Sequence, residues 1–140
     1  RSDSARGAAL FAGRGGCLQC HRVNGAGGDR GPELSAIGWT RTLATLKTAV
    51  LDPNASVDGE FYRMRVTTRE GRVVEGRRLA DETFDVRLVT DSGALRAFRR
   101  SDLKDARIVR ESIMPGVKGV MNDAEVNDLI SYLTSLRGIR

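Results

Sequence analysis

The feature that most constrains this chain is a five-residue stretch, Cys17-Leu18-Gln19-Cys20-His21, which holds both of its cysteines and its only histidine. Gly25, Gly27, Gly28, Gly31 and Pro32 follow and break any helical or strand period. Two cysteines this close together cannot form the set of bridges that folds a small chain lacking a core. They mark a local chemical site. The glycines predict no regular structure from Cys17 to Leu34, so something other than backbone ladders should hold that loop. Material for a core exists elsewhere: 140 residues, 40% apolar and 29% charged, suit one domain or one domain with a modest insert, and are too apolar for a disordered tail.

C-x-x-C-H is the spacing of c-type haem attachment. Two thiols add to the two vinyl groups of haem, and the adjacent His21 is thereby placed under the iron as an axial ligand. A redox dithiol would sit at the end of a strand in a βαβ unit, whereas this motif follows a helical pattern and precedes glycines. A structural zinc site would need four Cys or His ligands, and His21 is the only histidine. The expected cofactor is one covalent haem c. With a single histidine, the position across the iron is left to Met64, Met114, Met121, a lysine or an open site. Met64 shares a strand face with Tyr62 and Val66 and reads as core, and Met121 lies just before the cap of the last helix.

Along the chain, Ser4 to Gly13 reads as a short helix and Thr40 to Leu51 as a second, capped by Thr40 and stopped by Asp52-Pro53. The period then changes. Tyr62-Met64-Val66, Val73-Val74, Phe84-Val86-Leu88, Leu95 to Phe98 and Ala106 to Val109 predict four or five antiparallel strands with one buried face, turned at Glu70-Gly71 and Asp91-Ser92-Gly93. After Met114-Pro115-Gly116 the helical period returns. Asn122 and Glu125 suggest a reciprocal cap, ahead of a stripe of Val126, Leu129, Ile130, Leu133 and Leu136.

This layout resembles a class I cytochrome c: a helix just before C-x-x-C-H, Gly31-Pro32 with Leu34 after it, a late Met-Pro and an amphipathic last helix. The resemblance implies that the Pro32 carbonyl accepts a hydrogen bond from His21, that Met114 is the second axial ligand, and that Gly7 and Phe11 cross Leu129 and Tyr132 between the first and last helices. Trp39 is a candidate donor to a haem propionate or a core aromatic; Arg41 is a candidate propionate partner or an exposed cation. The strand-rich segment departs from a minimal cytochrome c. With it, the chain is similar to haem-binding domains of planctomycete, verrucomicrobial and acidobacterial proteins, which are often fused to dehydrogenase-like or propeller domains. The fold expected is mainly α: a single cytochrome c domain over residues 1–140, with residues 61–112 as an inserted small antiparallel sheet or open barrel.

The function expected is electron transfer by a monohaem carrier with His21 and Met114 as iron ligands, not catalysis on a substrate. A redox protein or a fused dehydrogenase-like domain is its expected partner. An open sixth site would instead suit a haem gas sensor or peroxidase. The net charge of +5 lies mostly between Phe61 and Ser112, where 13 basic residues meet 9 acidic ones. With the reminiscence of Sm-like barrels in that segment, this raises nucleic-acid binding as another reading, which the interspersed acids weaken. No apolar run is long enough to span a bilayer, and the opening Arg1-Ser2-Asp3 suggests that an export signal or preceding domain has been cut away. An extracytoplasmic, bacterial location is expected, because c-type haem is attached outside the bacterial cytoplasm.

Overall fold

The computed structural model describes residues 2–55, 57 and 61–138. The chain divides into two units, Arg1–Ser56 with Met114–Arg140, and Val57–Ile113.

In the first unit, Asp3 starts helix α1 (Ser4–Ala12). Its carboxylate accepts the amides of Ala5 and Arg6, which the helix leaves without carbonyl partners. Helix α4 (Asp123–Ser135) opens with a reciprocal cap: the Asn122 side chain accepts the Glu125 amide, and the Glu125 carboxylate accepts the Asn122 amide. Val126, Leu129, Ile130 and Leu133 are each at most 5% exposed. They pack with Phe11, Leu46 and Val50 in one core.

α1 crosses α4 where α1 has no side chain. A Cβ on Gly7 would collide with the Asp128 carbonyl and come within 2.8 Å of Cβ of Tyr132. Phe11 meets the Tyr132 ring edge-on, 5.5 Å between centroids. The crossing also seals a carboxylate: Asp128 is buried, accepts the Asp3 amide at 2.7 Å and faces Arg6 Nε at 3.3 Å. The stretch expected as one helix from Thr40 is two, α2 (Ile37–Thr40) and α3 (Leu43–Leu51). Arg41 is extended between them, and Thr42 rather than Thr40 caps α3, accepting the Thr45 amide at 3.1 Å.

The glycine loop contains two short strands, β1 (Arg22–Val23) and β2 (Ala26–Gly27), paired antiparallel. The second unit is an antiparallel sheet of β3 (Arg63–Thr68), β4 (Val73–Asp81), β5 (Asp85–Thr90), β6 (Leu95–Arg99) and β7 (Leu103–Val109), in spatial order β6-β5-β4-β3-β7. Its tight turns use glycine where φ is positive, 91° at Gly71 and 89° at Gly93. Met64, Val66, Val74, Val86 and Leu88 turn to one face and, with Leu103, form a core separate from that of the helices. Phe84, read as part of that buried face, precedes β5 and is 82% exposed.

A mainly α chain is not what results: 32% of the residues are helical and 29% are in strands. The alternating middle segment builds a complete five-stranded sheet, and the loop read as irregular contributes two more strands, so the helices do not dominate. No helix among the described residues is long and apolar enough to cross a membrane.

Candidate functional site

Cys17–Gln19 form a 3₁₀ turn entered through Gly16, whose φ of 66° is a conformation that glycine adopts freely. The amides of Cys20 and His21 both return to the Cys17 carbonyl, at 3.2 and 2.9 Å, so the two thiols and the imidazole leave one tight coil. Asn24 and Gly25, with φ of 50° and 85°, make the two-residue turn between β1 and β2. Backbone bonds then tie the loop to the motif: the amides of Gly28, Gly31 and Leu34 donate to the carbonyls of Leu18, Cys20 and Arg22. Ladders of this kind do hold the loop, contrary to the expectation from its glycines.

The imidazole of His21 is 9% exposed, and its Nδ1 lies 2.7 Å from the Pro32 carbonyl oxygen. A carbonyl can only accept, so Nδ1 carries the proton and Nε2 keeps a lone pair. Burial pushes the His21 pKa below its ordinary value, and the bond to Pro32 opposes that only in part. The ring is therefore neutral at pH 7 and fixed in one tautomer, the state a metal-binding histidine needs. Burial also pushes the Cys17 thiol up, with a smaller contribution from neighbouring Cys20, which keeps it protonated. Gly31 lies directly against the imidazole: a Cβ there would be 2.7 Å from Cε1 and 3.0 Å from Nδ1 of His21.

Among the described residues, no three His, Cys, Asp or Glu side chains gather to hold a metal ion. One neutral imidazole beside two unbridged thiols instead suits an iron that arrives with its equatorial ligands already supplied by a macrocycle. The donor set fits haem.

The structure brings Cys17, Cys20, His21 and Pro32 together, and it places Met114, partly buried, against the core of the helical unit. Met121 belongs to that core at 7% exposed; a Cβ on Gly15 would meet its Cε at 2.9 Å and Cys17 Sγ at 3.3 Å. Met64 is sealed in the separate core of the sheet, 1% exposed. Trp39 and Arg41 lie on the surface. The Trp39 indole N–H donates to the Arg137 carbonyl, with the Arg137 guanidinium 4.7 Å over the ring, and Arg41 donates to the Thr40 carbonyl at 3.3 Å. The sequence reading missed Gly31 as a site residue against the imidazole, having taken it as a break in the loop. The Gly-Pro dipeptide was the available signal for Gly31.

Residues 4–85 match the family model described as Cytochrome c. That span contains α1, the cysteine–histidine coil, the Pro32 loop, α2, α3 and the first two strands of the sheet, and it stops at the first residue of β5. Met114 and α4 lie beyond it. A search of curated proteins gives no significant match. Since the match spans more than half of the chain and includes the coil around which the loop is built, the chain belongs to the cytochrome c family: it binds haem c covalently with its iron, and it carries electrons rather than transforming a substrate.

Proposed function

We propose that the chain is a monohaem carrier in which Cys17 and Cys20 hold the haem, His21 and Met114 are the axial ligands, and single electrons pass between redox partners. The observation that carries this reading is the His21–Pro32 pair: a buried neutral ring, locked by its Nδ1–H, has only Nε2 left to offer, and it leaves the same coil as the two thiols. Bound haem supplies a one-electron iron couple. The Pro32 carbonyl raises the basicity of the imidazole and prevents its rotation. A Met114 thioether favours ferrous iron relative to harder donors and leaves no position for a substrate. The partner is a redox protein or a fused dehydrogenase-like domain, and the site of action is extracytoplasmic, where bacteria attach c-type haem. Residues 61–112 act as a β subdomain inserted in one cytochrome c domain, as in the bacterial haem-binding domains that the chain resembles.

Haem that survives acid-acetone extraction and stains on a denaturing gel is expected, and haem lost to the solvent would refute covalent attachment. Met114→Ala should abolish the weak far-red band of thioether-ligated ferric haem and admit carbon monoxide to the ferrous protein. Met121→Ala should leave both unchanged while costing about 2–5 kcal/mol of stability, as expected for truncating a core methionine. The reverse pattern moves the ligand to Met121. Carbon monoxide binding by the unaltered protein at neutral pH would mean an open sixth site.

A further inference from the structure

The contact between His21 Nδ1 and the Pro32 carbonyl joins two segments that run on beside each other. Main-chain bonds bracket it: the Gly31 amide donates to the Cys20 carbonyl at 2.8 Å just before the contact, and the Leu34 amide to the Arg22 carbonyl at 2.9 Å just after it. One residue further along, a side chain makes the next tie. The Ser35 hydroxyl accepts the Asn24 amide at 2.6 Å and donates to one oxygen of the Glu33 carboxylate at 3.0 Å. The Ser35 amide donates to the other carboxylate oxygen, and the Ser35 carbonyl accepts the Gly138 amide at 2.8 Å.

Ser35 is as buried as His21, each 9% exposed, and all of its polar atoms are paired. Its one hydroxyl proton is committed to Glu33, which turns a lone pair toward Asn24. Asn24 gains from being held there: at the turn of the β1–β2 hairpin, it is the residue other than glycine with a positive φ among the described residues, 50°. Glu33 is exposed, yet accepts through both oxygens, which favours the ionised carboxylate. The Ser35 amide first, then its hydroxyl, hold the Glu33 pKa below the ordinary 4.5, with a smaller contribution from the charge of Arg22.

The Nδ1–H···O=C bond can lengthen only if residues 22–24 and 32–35 move apart or slide. Of the ties that resist this, the Ser35 hydroxyl is one that a side-chain substitution removes without touching His21 or Pro32. A longer bond makes the imidazole a poorer electron donor, which favours ferrous iron.

We infer that Ser35, braced by Glu33, is a positioning residue for the axial ligand: by pinning Asn24 it keeps the Pro32 carbonyl on His21 Nδ1 and so sets the balance of ferric and ferrous iron. The inference rests on His21 being an axial ligand and not on the identity of the second one.

The test uses holoprotein and two readouts, potentiometric titration and solvent exchange of the His21 Nδ1 proton followed by NMR in the ferrous state. Ser35→Ala should speed that exchange about fivefold, as loss of one ordinary hydrogen bond allows. It should also shift the iron equilibrium about threefold toward ferrous, less than the effect of removing a group bonded directly to a ligand. Ser35→Thr, which keeps the hydroxyl, should return both readouts most of the way. If Ser35→Ala fails to fold, exposed Glu33→Ala against Glu33→Gln, which keeps one acceptor oxygen, makes the same comparison. A Ser35→Ala protein that melts lower but keeps its potential and exchange rate would show a role in stability alone and overturn the inference, as would Ser35→Thr displaced as far as Ser35→Ala. A wrong axial ligand would show differently: ring protons of His21 left unshifted by ferric iron in the unaltered protein would refute histidine ligation itself, and this inference with it.

Discussion

At the scale of single residues, the site depends on atoms that are absent as much as on those present. Gly31 has no Cβ because the face of His21 fills that space. Gly31→Ala should push the ring off the Pro32 carbonyl and cost about 1–3 kcal/mol, the usual effect of overpacking, with a perturbed haem absorption spectrum. A melt and spectrum like those of the unaltered protein would show that the ring has room to give. The motif itself was readable because the chemistry demands those residue types at that spacing. Gly31 was not readable as a contact, since a glycine in a loop looks the same whether it permits a turn or makes room for a ring. Trp39 shows the converse: its type suggested a haem contact, yet its N–H is given to the Arg137 carbonyl far along the chain.

Among the elements, the helix crossing and the α4 cap carry separate predictions. Gly7→Ala would drive a methyl into the α4 backbone at Asp128, so a loss of at least about 1–3 kcal/mol in denaturant titration is expected. Ala8→Gly, one residue away, should show only the propensity cost of about 1 kcal/mol. Equal losses would mean that the crossing is not close. Glu125 accepts the Asn122 amide and pairs with Arg14, and these contacts hold its pKa below the ordinary 4.5. A carboxylate with a depressed folded-state pKa contributes stability that is fully present above the unfolded value and is lost as pH falls through the folded one. Thermal stability of the unaltered protein should therefore drop below about pH 4.5 by more than that of Glu125→Gln, whose neutral amide cannot titrate. Parallel pH profiles would remove Glu125 from the account. The α4 cap and stripe were legible because both are short-range patterns. The break between α2 and α3 was not, because Thr40 and Thr42 are equally good caps on paper.

For the whole molecule, two separate cores predict two responses to loss of haem. Cys17→Ala with Cys20→Ala, which prevents attachment, should strip amide-exchange protection from α1, α3 and α4 while leaving β3, β4 and β5 protected, since Val66, Val86 and Leu88 are sealed by the sheet's own residues. Simultaneous loss in both would show that the sheet depends on the haem-binding unit. The sequence by itself determined the chemistry of the C-x-x-C-H coil, the capped last helix, and the alternation that makes residues 63–109 a sheet with one buried face, because spacing, caps and period act over a few neighbouring residues. Only the tertiary structure decided that β3 lies between β4 and β7, that Asn24-Gly25 turns a hairpin inside the glycine loop, and that Gly31 lies directly against the imidazole of His21. The first of these depends on which strands meet over a common core, and the last on how a loop closes back over the coil that it follows. Both are decided by contacts between residues distant along the chain, which local spacing does not record.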